Sequence, residues 1–422
     1  NSRWGSFPSV SLGWVASNED FLKDVEWLDY LKVRGSYGKV GNSRGVSAYA
    51  ARTLYGGGAY TTLNGFSATQ MGNADLQWET SKKLDVGVDF NILNNRLNFV
   101  VDYYNNDISG LILNATPPST VGVPGGSIET NIGSMKNSGI EFTVNANTMT
   151  REDFTWTTSL NFTTVNNEVT SLVTEGADMV DGASVASVGR RLGTYKLIKW
   201  KGVDSQTGDP MWYTADGGYK TYNQADKSWT YTDADDVTSA VQSGVGGSDA
   251  QYLDESGLPK YYGGLDNNFT YKNIDFGFSL VYTGGFSIYN STRASLLSNY
   301  FVNNGSEILD RWTAPGQQTD VPKLYMTESA ANQTSTRFLE KGDFLRMRTI
   351  SLGYTFKDLS RWGISNLRLY GQVYNAFVIT GYSGQDPEVS LNRNNTNIAI
   401  GVDNRSVPQP RTYTLGLNIS LQ

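Results

Sequence analysis

The chain has 422 residues and a formal net charge of −7, with a sequence pI near 4.9 and no Lys/Arg cluster of the kind that tracks phosphates, so nucleic acid is not expected as a partner. It contains no histidine and no cysteine, which removes Ser-His-Asp triads, His-metal sites, His general bases, disulfides and thiolate chemistry. Mean hydropathy is −0.38 and no apolar run approaches the ~18 residues of a membrane-spanning helix, yet aromatics reach 12% and 45 Gly stand beside 11 Pro.

In chain order, no basic n-region and apolar h-region open the sequence, so residues 1–8 read as the middle of a longer protein. Period-two alternation, the mark of a strand with one apolar face, then recurs throughout. Val10, Leu12 and Trp14 alternate with small or polar residues, as do Leu31, Val33 and Tyr37. Leu84, Val86, Val88 and Phe90 lead through a tight turn at 91–95 into Leu97, Phe99, Val101 and Tyr103. Ile140, Phe142, Val144 and Ala146 precede Phe154, Trp156, Leu160 and Phe162. Further strands are predicted at 261–271, 273–283, 345–356 and 365–375, with weaker signals at 194–201 and 210–215. The last strand carries Tyr413, Leu415, Leu417, Ile419 and Leu421 on one face and Thr414, Gly416, Asn418 and Ser420 on the other.

Connections near 91–95, 148–152, 202–209, 272–273 and 357–364 are short. Those at 41–77, 109–136, 166–193, 216–260, 285–343 and 376–410 are long, and the two kinds alternate strictly. Long unstructured loops are unusual in a compact soluble domain. Tight periplasmic turns alternating with long extracellular loops are what an outer-membrane barrel requires. The expected fold class is therefore all-β, an antiparallel transmembrane β-barrel segment of about thirteen strands. Single-chain bacterial barrels have even strand numbers, so thirteen strands would be the back part of a larger barrel; nine or more further strands are expected ahead of Asn1.

The segments Arg3–Trp14, Trp27–Gly38 with Gly41 and Asn42, Leu76–Thr80, Asn94–Leu97 and Asp102–Tyr104 follow one another in an order that can be matched as a set. Asn131–Gly133, Asn137–Glu141, Gly202–Asp204, Gly208–Pro210 and Tyr261–Leu265 continue it. Gly342–Arg346, Leu352–Tyr354, Asn375, Asp386–Glu388 and Arg411–Tyr413 close it. In these segments the chain resembles the C-terminal portion of SusC/RagA-type TonB-dependent outer-membrane transporters of Bacteroidetes. It departs from them at the end, where Leu421 is followed by Gln422 rather than by an aromatic.

The resemblance implies a 22-strand barrel in the outer membrane, of which residues 1–422 are the C-terminal part, with the plug domain and first strands lying before Asn1. It implies import of an oligosaccharide or peptide, energised by the TonB complex through the plug and assisted by a SusD-like surface lipoprotein. The alternative is a non-transporting surface β-protein, an adhesin or carbohydrate-binding module, whose apolar strand faces would meet a dry core instead of outer-membrane lipid.

Candidate ligand contacts are Trp212, Tyr219, Tyr222, Trp229 and Tyr231, because aromatic faces stack on sugar rings, with Tyr213 in the same group; the opposing reading is loop packing or contact with the capping lipoprotein. Trp14, Tyr103, Trp156, Tyr282 and Tyr354 are expected at membrane interfaces. Asp386 and Glu388 invite a glycosidase reading, but no cleft or raised pKa is visible in sequence, and a substrate-side or structural loop is preferred. Asp233, Asp235, Asp236, Asp249, Asp254 and Glu255 suggest calcium without matching an EF-hand, and Asp204–Asp209 reads as a turn. Gly56–Gly58 and Gly244–Gly247 lack the Lys-Ser/Thr of a phosphate loop. No catalytic residue, metal or cofactor is expected.

Overall fold

The computed structural model describes residues 4–43, 49–115, 117–174, 176–326, 330–357, 359–389 and 398–421. Arg3 of the first matching segment and the closing Gln422 lie outside the described residues.

Eleven strands follow one another as neighbours in a single sheet: β1 Ser9–Val15, β2 Leu28–Asn42, β3 Glu79–Ile92, β4 Leu97–Ala115, β5 Ile128–Thr150, β6 Phe154–Thr164, β7 Tyr261–Tyr271, β8 Ile274–Gly284, β9 Phe344–Phe356, β10 Ile364–Thr380 and β11 Thr412–Leu421. Every neighbouring pair is antiparallel. Because side chains alternate, a one-residue slip between any two strands would move one strand's apolar set to the other face. The register keeps them together. Leu31, Phe90, Phe99, Val144, Leu160, Leu265, Leu280, Met347 and Phe377 stand opposite one another in a row from β2 to β10.

Among the described residues no part of the chain covers this face. Leu12 is 79% exposed and Leu415 88%, and an apolar surface of this extent needs lipid. β8, with 11 residues, and β11, with 10, match the ~9–11 residues that a tilted strand needs to cross a bilayer. Trp14, Tyr103, Tyr282 and Tyr354 are exposed on the lipid side. Trp156 stacks on Phe269 across β6 and β7 and donates its indole N–H to Asn267 (2.8 Å). Thr158 donates to the same Asn267 oxygen (2.7 Å), so this buried amide on the apolar face is not left unpaired. β4 and β5, at 19 and 23 residues, project beyond the band. Their outer faces turn polar there, at Asn105 and Asp107 and at Ser138 and Lys136.

The polar face is tied by arginines that reach across a strand. Arg34 of β2 passes over β3 to Asp102 of β4 (2.7 Å), with Asp85 and Asp89 at 3.2 Å. Gly87 lies beneath it, and a Cβ there would stand 2.0 Å from the Asp102 carboxylate. Arg368 of β10 likewise crosses Gly353 of β9 to reach Asp275 of β8 (2.9 Å). Gly87→Val is therefore expected to cost about 1–3 kcal/mol through forced displacement of the bridge. Valine at Gly35, whose Cβ position has only ordinary contacts, should stay near wild type. Urea unfolding in lipid vesicles separates the two.

The sheet is joined at one end by 16–27, 93–96, 151–153, 272–273 and 357–363, and at the other by 43–78, 116–127, 165–260, 285–343 and 381–411. The tight turn predicted near 91–95 is present, with Leu93, Asn94 and Asn95 at φ near +60 (60, 57 and 57). The strand count differs from the sequence reading: among the described residues the wall has eleven strands, not thirteen. The signals at 194–201 and 210–215 belong to Thr194–Leu197, Trp200–Val203 and Pro210–Tyr213, each of 4 residues. These are too short to cross a bilayer, and both of their neighbourhoods are packed by loop residues. The turn at 202–209 joins two of them, so the loops placed at 166–193 and 216–260 are parts of one excursion.

Candidate functional site

Three of the long excursions, 165–260, 285–343 and 381–411, interlock into a cap. Tyr195 is fully buried and shares its one hydroxyl proton between the carbonyls of Ser287 and Gly401, both at 2.8 Å, so one side chain joins all three. Tyr289 pairs in parallel with Val402. Leu197, Tyr289, Leu297, Phe338 and Val402 pack around this junction.

The predicted aromatic contacts divide by sheet face. Five short strands between Trp200 and Val241 form a sheet of their own. Trp212 is 0% exposed and Tyr222 is buried; with Trp200 and Trp229 they form a small core, with Trp212–Trp229 and Tyr222–Trp229 centroids 5.5 and 4.7 Å apart. The expectation that Trp212 and Tyr222 contact a ligand gives way to loop packing, since neither presents an open ring face. Tyr219 lies on the other face, with Lys201 Nζ 4.3 Å from its ring centre, and Tyr213 stands opposite it in register. The Tyr231 hydroxyl donates to Asp216 (3.0 Å).

Asp386 and Glu388 come together, but not around an open cleft. Arg346, 3% exposed, donates to Asp386 (2.5 Å) and lies 2.7 Å from Glu388, and Arg348 lies 3.1 Å from Glu388. A register shift in β9 around Arg348, matched in β10 near Asn375 at φ +51, lets both arginines reach one carboxylate. Gln409 donates its backbone N–H to Asp386 (3.0 Å) and its side chain to Glu388 (3.1 Å). Both ends of excursion 381–411 are thus clamped to the wall, and neither carboxylate is left for acid–base work.

Two carboxylates of the acidic stretch 233–255 are taken up by local partners. Asp233 accepts from the amides of Asp235 and Val237, and Asp249 from Gly246 and Lys220. Asp204 accepts from Gln206, closing the predicted turn. Among the described residues no group of acidic side chains is arranged to hold a metal.

What sequence reading passed over is a cleft of about 620 Å³ between Asn290–Glu307 and Ser383–Pro408. At its floor Arg293 holds Glu307 through two nitrogens (2.6 and 2.9 Å), and Asp403 accepts from Tyr382 (2.6 Å) and Thr292 (3.1 Å). The residues come from segments a hundred positions apart and show no spacing signal.

Electrostatics in the cap favour its folded form at neutral pH. The Arg293 hydrogen bond holds the Glu307 carboxyl below its usual range against the opposing effect of burial. Burial works to raise Asp178, but hydrogen bonds from Tyr252, Lys196 and Ser187 outweigh it and hold it low. Against these, burial draws the Arg337 guanidinium down to about 10, a cost to the folded form at neutral pH. A carboxyl lowered on folding contributes stability that is present above its unfolded value, about 4, and lost as pH falls through the folded one. Hydrogen exchange across 285–310 should therefore be slow at pH 7 and, after correction for intrinsic rates, lose protection below about pH 4. Glu307→Gln should flatten that dependence.

A family profile described as "TonB dependent receptor-like, beta-barrel" matches residues 1–235, more than half of the chain. The chain belongs to the TonB-dependent receptors. TonB-dependent receptor P39 of Formosa agariphila is 31% identical over 454 aligned positions, covering 99% of this chain and 43% of that protein. TonB-dependent receptor SusC of Bacteroides thetaiotaomicron is 29% identical, covering 99% of this chain and 40% of SusC. Among solved structures, the RagAB peptide transporter superposes with a TM-score of 0.82 at 25% identity, over 99% of this chain and 44% of that one. The chain therefore spans about two fifths of the length of the relatives it matches, and it is an outer-membrane barrel segment like theirs.

Proposed function

We propose that the longer protein containing this chain imports a nutrient across the outer membrane, and that residues 1–422 form the C-terminal part of its barrel. The observation that carries this reading is a wall with lipid-facing apolar rows and a polar inner face, closed over at its long-loop end by an interlocked cap and similar throughout to SusC and to the RagAB transporter. The remaining strands and a plug precede Asn1 in this proposal, and the TonB complex acts through that plug. A SusD-like surface lipoprotein sits against the cap, and the cargo is an oligosaccharide or a peptide. Tyr219 and Tyr231 remain surface candidates for cargo contact. Trp212, Tyr222 and Trp229 support the sheet beneath them, while Asp386 and Glu388 fix a substrate-side loop.

The test is growth of a strain deleted for the whole gene on defined peptides or glycans as sole nutrient, with TonB intact or disabled. Loss of growth on one nutrient class in both backgrounds, restored by the full-length gene only when TonB is active, is the expected result. Unaltered growth and uptake on every class would end the import reading and favour an adhesive role.

A further inference from the structure

We propose that Arg405 is the anchor of a carboxylate-binding site on the cap, reading the charged end of a peptide with apolar side chains. The proposal rests on the import reading and specifies one point of cargo contact. Two clefts of about 620 and 490 Å³ adjoin and share Thr292, Leu296 and Arg405. Each falls within the ~300–1,000 Å³ of small-ligand sites.

The charges around them are unequal in their commitments. Arg293 is held by Glu307, and Asp403 by Tyr382, Thr292 and the Ser406 amide. Arg405 is different. Its guanidinium has no carboxylate within 4.0 Å among the described residues, while its backbone N–H is fixed by Thr292 (2.6 Å). Its φ is +58, a conformation uncommon for a residue with a side chain and one found at sites where position matters more than local comfort. The backbone of Arg405 is thus fixed at the junction of the clefts, its exposed guanidinium has its donors uncommitted among the described residues, and a planar carboxylate matches that donor fork.

The flanks select for the rest of the ligand. Leu296 and Val407, 42% and 89% exposed, border the larger cleft, and Tyr300 and Val302 border the smaller. Among the described residues the larger cleft has no aromatic ring in its lining, so it lacks the stacking surface that a neutral sugar uses; the one ring, Tyr300, lines the smaller cleft. An anionic group beside apolar side chains is the complement of these surfaces, and a short peptide with a free carboxyl terminus supplies both.

The experiment uses the full-length receptor in detergent and calorimetric titration. The probes are N-acetylated leucyl-alanyl-leucyl-valine with a free carboxyl terminus, the same peptide as its C-terminal amide, and maltotetraose. The free acid should bind at least about tenfold more tightly than the amide, because a charge-assisted hydrogen bond is lost with the carboxylate. Arg405→Gln should remove that difference, lowering acid binding to the level of the amide without altering the amide. Leu296→Asp should weaken both peptides. Equal binding of acid and amide by wild type, an unchanged acid affinity in Arg405→Gln, failure of both peptides to bind, or maltotetraose binding that Arg405→Gln abolishes would each overturn the site. TonB-dependent uptake of the same peptides by cells separates the two levels: uptake that persists while the site fails leaves the import reading intact, and absence of uptake of any peptide or glycan removes the reading itself.

Discussion

Replacing Arg346 with methionine is expected to detach excursion 381–411 from the wall and to make it the first part of the cap cut by protease. The guanidinium is buried, and it faces Asp386 at 2.5 Å and Glu388 at 2.7 Å. Removing one partner of a buried ion pair leaves the other as an uncompensated charge, at a cost of roughly 3–5 kcal/mol. Here the residual charge is two carboxylates, of which Arg348 can still serve Glu388 (3.1 Å) but not the buried Asp386. Asp386 also receives the amides of Glu388 and Gln409, so its displacement loosens both ends of the excursion together. The same excursion supplies Val402 to the cap's core and Asp403 to the cleft floor. Limited proteolysis in detergent should show rapid cleavage within 381–411 in Arg346→Met, with the barrel itself intact. Adding Asp386→Leu should recover much of the resistance, since a buried apolar pair avoids the stranded charge. Cleavage at the wild-type rate in the single variant would show that the clamp contributes little.

The wall was legible in the sequence because period two is a local property. Leu31, Val33 and Tyr37 declare one face without any knowledge of what pairs with them, and the same holds for Tyr413 through Leu421. The alternation of short and long connections gave the two ends of the barrel. The cap was less legible, because a four-residue strand such as Pro210–Tyr213 carries the same local signal as a piece of a wall strand, and only its length and its burial partners decide its place. The aromatic run at 212–231 was visible as composition. Which rings turn inward is set by the pairing of Tyr222 with Trp229 and of Tyr213 with Tyr219, a matter of register that composition does not encode. Asp386 and Glu388 stood out as acids, but their partners Arg346 and Arg348 lie 40 positions away. The Arg405 clefts assemble residues from two excursions and left no trace in spacing.

Arginine placed at Leu417 and at Asn418, adjacent positions of β11, should have sharply different effects. Leu417 is exposed on the lipid side, opposite Leu369, while Asn418 stands opposite Arg368 on the polar face. An arginine near the bilayer midplane on the lipid face costs about 2–4 kcal/mol, and Leu417 lies midway along the alternating run from Tyr413 to Leu421. Asn418→Arg faces water and polar neighbours and places one further cation beside Arg368, which Asp275 already neutralises (2.9 Å). Its expected cost is below about 1 kcal/mol, because exposed charge pairs interact weakly. Folding of the full-length receptor into vesicles, followed by urea titration, reads both values. The contrast is a direct consequence of side-chain alternation: a single step along β11 exchanges lipid for the barrel interior. Equal destabilisation by both arginines would mean that the two faces of β11 meet the same surroundings, as they would in a soluble sandwich, and would count against the lipid-facing assignment of the entire in-register apolar row.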